Sequence, residues 1–555
     1  MAEKASVFIL RCDSYFYRVS ETMQSTKQTR PGAASSEKRS SGHLKLLAKA
    51  AGISLAALAF SKLTSYFFRW VGAMLGTAEY GLFAMAFGVF ELVVGLGLLG
   101  VDFATARFIV DESIAKKNPR LSSNSFWYGV RVVLVSGTVL AICLALASGW
   151  IASNVFHSPS MWPSLVVFAL TVPFFLLVLV FVATMRGLKR VKYEAIAKSV
   201  IESALRPFFA FIAIILGLGA FGLSVSVFVS ALIVFLFCVF WSRKFFPQPW
   251  IESIVSARRP EGFFRFCLPL YTSNLLSIVI SNSVLFALGL MIGTSEAGVF
   301  SAVMPLAMFI VTPATAILAI FISVGSEMRA FGRHEESHGL YQSLVKAILM
   351  ATIPLSVVLA FFSREALTFL YLIDYSQGAL ALSILSVGYL IYSTFTPAAN
   401  YLQVLKRTNW LLFNLAFSAV LVFASIALFV PTYGTAGAAL AFVVGAVAQV
   451  LLAVVEVWWF ARMQPFSGAF LRTLLAGCIA LIPLYFLNGA FGLRGFNRVV
   501  FGAMLYCASY AVLLFALRAF DRDDIELLKS VELRSGVRLG PVRGMLKRFY
   551  FGSGK

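Results

Sequence analysis

MWPSLVVFALTVPFFLLVLVFVATM occupies residues 161–185 and carries no charged side chain. A helix rises about 1.5 Å per residue, so a run of this length outreaches the roughly 30 Å hydrocarbon core of a bilayer. Only a helix can take it there, because lipid offers no partner to an unpaired backbone amide. Similar runs recur along the 555 residues, of which 60% are hydrophobic and only 13% charged, with a mean hydropathy of +0.87. Soluble domains keep roughly a quarter of their residues charged. The fold class that follows is an all-α polytopic membrane protein.

Charges and turn residues divide the chain into fourteen expected spans: 48–74, 82–104, 126–149, 161–185, 195–218, 222–241, 266–292, 299–325, 342–362, 377–403, 410–430, 435–459, 471–489 and 499–518. The positive-inside rule tests that count, since an error of one span would scramble the charges. With the N-terminus in the cytoplasm, the N-terminal tail holds 9 Lys and Arg, the C-terminal tail 9, and the six inner loops with their edges 21. The outer side holds Arg364, Arg494 and Arg498, and Lys62, Arg69, Arg131 and Arg206 fall within spans. Both termini are therefore expected in the cytoplasm of a multi-pass protein of the cell membrane. The net charge of +21 is read as cytoplasmic loop charge facing anionic headgroups rather than as a nucleic-acid surface.

An internal repeat organises the spans. Gly76-Thr-Ala-Glu79-Tyr-Gly81-Leu-Phe83 and Gly293-Thr-Ser-Glu296-Ala-Gly298-Val-Phe300 share five of eight residues at an offset of 217, and Gly219 and Gly222 are echoed by Gly434 and Gly437. Six spans separate the copies, an even number, so the halves are parallel repeats about an axis along the membrane normal. The expected domains are a disordered basic tail over 1–44, a six-helix lobe over 45–241 and an inter-lobe linker over 242–265. A second six-helix lobe over 266–462, two added helices over 463–520 and a cytoplasmic tail over 521–555 complete the chain. Met23 is an alternative start, which would leave residues 1–22 untranslated.

Gly72-Ala-Met-Leu-Gly-Thr-Ala-Glu-Tyr-Gly-Leu-Phe83, followed by Leu98-Leu-Gly-Val-Asp102 and Thr105-Ala-Arg107-Phe108, resembles the opening of the polysaccharide-repeat-unit flippases (Wzx type). Arg206-Pro207, Leu268-Pro-Leu270 and Val430-Pro-Thr-Tyr-Gly-Thr-Ala-Gly-Ala-Ala-Leu440 occur in similar places in that family, over roughly residues 45–520. The family belongs to a superfamily shared with lipid II flippases and multidrug extruders. What the resemblance implies is an alternating-access protein, not an enzyme, that turns lipid-diphosphate-linked sugars across the membrane for surface polysaccharide synthesis. It would need no cofactor, and its partners would be the lipid-linked oligosaccharide, membrane lipids and the polymerase or glycosyltransferases of the same route. An H⁺- or Na⁺-coupled multidrug exporter is the alternative, and a membrane glycosyltransferase a third reading that the short outer loops disfavour.

Charges inside a span are costly, about 3 kcal/mol on insertion scales, and so need a reason. Lys62 and Arg69 lie seven residues apart, on one face of the first span. Arg206 sits midway along the fifth span, with Glu202 and Lys198 at successive four-residue steps below it, and Glu91 shares a face with Gly95 and Asp102. Two readings follow. Lys62, Arg69 and Arg206 line a cationic cavity for a diphosphate, which Arg suits through its bidentate fork. Alternatively, Lys62–Glu91 and Glu202–Arg206 are neutral pairs that fix packing, with Glu91, Glu202 and Asp102 as pairing or coupling acids. In the second lobe Val279 and Phe286 replace Lys62 and Arg69, and Asn274, Asn282, Tyr271 and Tyr392 offer a polar and aromatic wall instead.

No metal site is expected. His334-Glu-Glu-Ser-His338 matches a zinc-protease pattern, but it has no third ligand in view and Gly339 follows it. The six cysteines form no C-x-x-C pair and read as small core residues.

Overall fold

A computed structural model describes residues 60–110, 119–188, 190–246, 249–318, 334–371, 373–490 and 495–520. The expectations for the 1–44 and 521–555 tails concern residues outside this description. Every regular element within it is helical. The long helices are α1 (60–73), α2 (Thr77–Leu98), α3 (Pro119–Trp150), α4 (Trp162–Gly187), α5 (191–215), α6 (Gly219–Phe245) and α7 (Phe263–Met291). They continue as α8 (Thr294–Met308), α9 (His334–Phe361), α10 (Ala379–Val404), α11 (408–433), α12 (435–461), α13 (Gly468–Ile479) and α14 (Gly495–Ala516).

Among the described residues, length and hydropathy single out eleven helices able to cross a membrane, against the fourteen expected spans. The difference lies in three places. Only 60–74 of the first span is described. In α5 the segment Ala195–Glu202 is wound as a π-helix, so no single α-helix there is long enough. The third is Thr408–Ala461, a 54-residue element whose length of about 80 Å no bilayer could hold. It is two helices meeting at Gly434, where φ 52° and ψ −127° break the helical path. Phe429 and Gly437 approach so closely there that a side-chain carbon on Gly437 would lie 2.0 Å from the Phe429 carbonyl oxygen.

The outward faces of the helices carry exposed Leu146, Phe240, Val420, Leu428 and Met504, a surface suited to lipid rather than water. The linker expected over 242–265 is in part helical: α6 runs to Phe245, and a short helix spans Trp250–Ser256. Asn124 clasps it by donating to the Arg258 carbonyl and accepting from the Arg258 amide, both at 2.8 Å.

The repeated sequences meet in space. α2 and α8 cross at their N-terminal ends, where a carbon added to Gly81 would lie 1.8 Å from the Thr294 oxygen and one added to Gly298 would lie 1.9 Å from the Thr77 oxygen. Gly81 and Gly298, like Thr77 and Thr294, stand 217 positions apart, so the contact is two-fold symmetric. The hydroxyls of Thr77 and Ser295 bond across it at 2.7 Å, and Tyr375 donates to the Ala73 carbonyl at 3.1 Å. The second echo is structural as well: Gly219 and Gly434 both have positive φ, at 55° and 52°. Glu79 accepts from the Ala220 amide at 2.9 Å, tying the start of α2 to the start of α6 in an arrangement favoured by the helix dipole.

At its other end α2 stops at Leu99 and Gly100, both left-handed, and the chain resumes as a short helix over Val101–Val110. Gly100 packs on Cys267 of α7, and Arg107 lies 4.2 Å over the Phe266 ring. The first half therefore touches the second at both ends of α2.

Gly81→Ala should lower the thermal midpoint of the purified protein in detergent by several degrees, because a backbone oxygen occupies the space. Gly339→Ala, in α9 with nothing within 4 Å, should leave the midpoint unchanged or raise it slightly. Equal effects of the two substitutions would refute the close crossing.

Candidate functional site

Between the halves lie two adjoining cavities, of about 410 Å³ and 510 Å³. Both are walled by Phe87 and Glu91 of α2, Arg206 of α5, and Ser281 and Asn282 of α7. The first adds Arg69 and Tyr80, with a mostly apolar rim that includes Phe83, Phe300, Met304 and Phe442. The second adds Lys198 and Glu202 of α5, Asn274 and Ser277 of α7, and Gly95 of α2. α2 and α7 run antiparallel, so the residues of the second cavity lie toward the Gly100–Cys267 end.

Each polar group is placed by local chain chemistry. Pro207 in α5 removes one backbone donor, and the turns before it widen into the π-helix. Such segments commonly mark functional sites. The Ser203 hydroxyl donates to the Lys198 carbonyl at 2.9 Å, using an acceptor within that widened stretch. Arg206 and Glu202 form an ion pair at 2.5 Å, with their side chains 21% and 9% exposed. Glu202 Oε2 and Arg206 Nε are enclosed with no further partner. The pair is held by packing as much as by its own bond.

Glu91 has a different setting. It is exposed although helices surround it, because it faces the cavity. Asn282 donates to its Oε2 at 3.2 Å from the other half of the molecule, and donates also to its own helix at the Ile278 carbonyl. Arg69 and Arg206 are the cations whose fields act on Glu91. Arg69 itself reaches the Tyr80 hydroxyl, and no described carboxylate forms an ion pair with it. Lys198 lies with its ammonium 5.3 Å over the Phe175 ring.

Of the residues singled out in the sequence, Arg69, Arg206, Glu91, Glu202, Asn274 and Asn282 thus come together on the cavity walls. Lys62, Asp102 and Tyr271 are on neither wall. Lys62 is exposed, two helical turns from Arg69 toward the start of α1. Tyr271 packs against Gly100. Of the two pairs in the packing reading, Glu202–Arg206 is formed, whereas Glu91 accepts a hydrogen bond from Asn282 and not from Lys62.

Two further lysines, Lys198 and Lys346, lie within the helical body. Lys198 is a cavity residue and Lys346 is 1% exposed. Glu456 of α12 was overlooked: it is buried and accepts from Asn414 of α11 at 2.7 Å, away from the cavities. Its signal was a lone acid in the apolar run Val454-Val-Glu-Val-Trp458. His338 of the zinc-like motif bonds the backbone of Gln464, and among the described residues no three metal-ligating side chains converge.

The polar residues thus converge on a central cavity between repeated helical halves. Residues 71–377, more than half of the chain, match the polysaccharide biosynthesis protein family, and the chain belongs to that family. Among solved structures it is similar in fold to a lipid II flippase, MurJ, in an inward closed conformation, with TM-score 0.67 and 15% identity over 83% of this chain and 97% of that one. It is similar also to a multidrug resistance transporter of the MATE family in an inward-facing conformation, with TM-score 0.62 and 16% identity over 74% and 97%. A third relative is a MOP superfamily transporter from Pyrococcus furiosus whose binding pocket is described as reversed in polarity, with TM-score 0.55 and 16% identity over 76% and 95%. No curated protein matches the chain. The protein is accordingly a multi-pass membrane protein of the polysaccharide biosynthesis protein family, with a fold like that of these flippase and transporter structures.

Removing Glu202 would strand the Arg206 charge in a largely enclosed wall, which costs about 3 kcal/mol. Glu202→Ala should therefore lower the thermal midpoint well below that of Arg69→Ala, whose guanidinium leaves no carboxylate behind. Equal melting of the two variants would show that the ion pair does not organise the wall.

Proposed function

We propose that the protein is a flippase that carries a polyprenyl-diphosphate-linked oligosaccharide across the cytoplasmic membrane for surface polysaccharide synthesis. The observation that supports this most is Arg69, a cation facing the central cavity with no described carboxylate paired to it, beside a second guanidinium at Arg206. A diphosphate carries the charge such a site lacks, and guanidinium forks match phosphate oxygens two at a time. Family membership and the flippase fold point the same way.

In this reading both termini are cytoplasmic, which the charge asymmetry of the loops supports, and the α2–α8 crossing closes the cavity on the outer side. Lys62, exposed two turns inward of Arg69, meets the diphosphate before Arg69 and Arg206 do. The lipid tail stays in the bilayer while the halves rock around the headgroup. No covalent bond changes. The lipid-linked product would pass to a polymerase or glycosyltransferases outside.

A multidrug exporter driven by H⁺ or Na⁺ has one observation in its favour, the cavity-exposed carboxylate of Glu91. Against it, the first cavity sets two cations, Arg69 and Arg206, against the one carboxylate of Glu91, and in the second the cations Lys198 and Arg206 balance Glu91 and Glu202.

Arg69→Glu should abolish export while the protein still reaches the membrane, with lipid-linked oligosaccharide accumulating as it does when the gene is deleted. Normal export by a well-expressed Arg69→Glu protein would remove Arg69 from the site. Deletion that leaves surface glycan intact but sensitises cells to cationic drugs would establish the exporter instead. For orientation, a reporter active only in the cytoplasm should work when fused to either terminus, and activity at one end alone would overturn the topology.

A further inference from the structure

The two cavities differ in what their walls can still bond. In the first, the polar groups are largely committed: the Tyr66 hydroxyl donates to the Pro305 carbonyl at 2.6 Å beside it, Tyr80 is met by Arg69, and Tyr389 points to the Met304 sulfur at 3.4 Å. It shares Ser281 and Asn282 with the second cavity, and apart from Ser65 and Ser301 the rest of its wall is mainly aromatic, aliphatic and thioether. The second cavity is lined by α7 hydroxyls and an amide with capacity to spare. Asn274 and Ser281 have no side-chain partner among the described residues, and Ser277 uses only its proton, on the Ser273 carbonyl at 2.9 Å. These groups stand on one side of α7, at positions 274, 277 and 281, facing Lys198 and Glu202 of α5.

Resting on the flippase reading, we propose that the second cavity is the glycan subsite, with Asn274, Ser277 and Ser281 recognising the sugars next to the diphosphate. A sugar hydroxyl is donor and acceptor at once, the complement of an amide that offers both and a serine oxygen that still accepts. The diphosphate lies at the junction of the two cavities, between Arg69 and Arg206. Arg206 alone of the two belongs to both walls, so it touches the phosphate next to the sugar, and Arg69 touches the phosphate next to the lipid. The polarity of loading follows: the glycan points to the Gly100–Cys267 end, the cytoplasmic end in the proposed topology, where such glycans are assembled. α7 of the second half therefore sets which glycan is carried, and the cations of the first half set that a diphosphate is carried.

The test uses two probes: lipid-linked oligosaccharide extracted from membranes of cells lacking the gene, and the bare polyprenyl diphosphate obtained from it by removing the sugar. Binding of each to the purified full chain is compared for wild type, Ser277→Trp, Asn274→Ala and Arg69→Ala. The wild type should bind the glycosylated lipid more tightly than the bare one. Asn274→Ala should weaken only the glycosylated probe, by about tenfold for one lost hydrogen bond, and Ser277→Trp should reduce that probe to the bare-lipid affinity or below. Both should bind the bare lipid as wild type does, which also shows that they are folded. Arg69→Ala should weaken both probes. If the α7 variants bind the glycosylated lipid normally while Arg69→Ala weakens both, the subsite is overturned and the flippase reading stands. If Arg69→Ala binds the bare lipid normally, the diphosphate reading itself falls. A wild type that binds both probes equally overturns the subsite as well.

Discussion

Helix α2 lies against the second half of the molecule from end to end, and the rest of the arrangement depends on how closely it can approach. Gly81, Gly88 and Gly95 recur at seven-residue steps and so fall on one face of it. Against them stand Gly298 of α8 and then Asn282, Phe286 and Ile278 of α7. Without a hydrophobic drive between helices in lipid, association rests on van der Waals contact and interhelical hydrogen bonds, and small residues permit both. A side chain at Gly88 would strike Asn282, whose amide holds Glu91 on the cavity wall. Seam and site are thus built from the same two helices.

The cavity charges obey a second constraint. A charge in the membrane interior must be paired, hydrated or awaiting a ligand. Glu202 and Arg206 satisfy one another within a close-packed wall. Glu91 is open to the cavity and hydrogen-bonded across the seam. Arg69 reaches the Tyr80 phenol and forms no ion pair with a described carboxylate. A set of equally placed cations would say little about role, whereas this graded set separates the groups that hold the wall together from the one left to act on something else.

Helices were legible in the sequence because hydrocarbon imposes a length on every crossing, and a run such as 161–185 states it outright. The repeat was legible because its Gly and Glu residues are backbone requirements: a positive φ at Gly219 and Gly434, a close crossing at Gly81 and Gly298. Arg69, Arg206, Glu91 and Asn282 were found as polar residues where apolar ones were expected. What a linear reading lacked was depth and rotation. A seven-residue spacing puts Lys62 on the face of Arg69 but does not reveal that the cavity ends before reaching it. The four-residue steps from Arg206 to Glu202 and Lys198 put them near one face, but do not show that the stretch from Lys198 to Glu202 is wound as a π-helix. That Asn282 would meet Glu91, 191 residues away, depends on the register of two antiparallel helices, which neither sequence specifies alone.

The symmetric crossing of α2 and α8 bears on how such a duplicated chain ages. Residues on a two-fold axis pack against their own counterparts, so a change in one copy must be tolerated by the other copy's unchanged partner. Thr77, Gly81, Thr294 and Gly298 are locked together in this way, and their segments are where the ancestral identity is still plain. Residues away from the axis face no such mirror, which left Val279 and Phe286 free to differ from Lys62 and Arg69. Fixing the axis is what allowed the two walls of the cavity to become unlike.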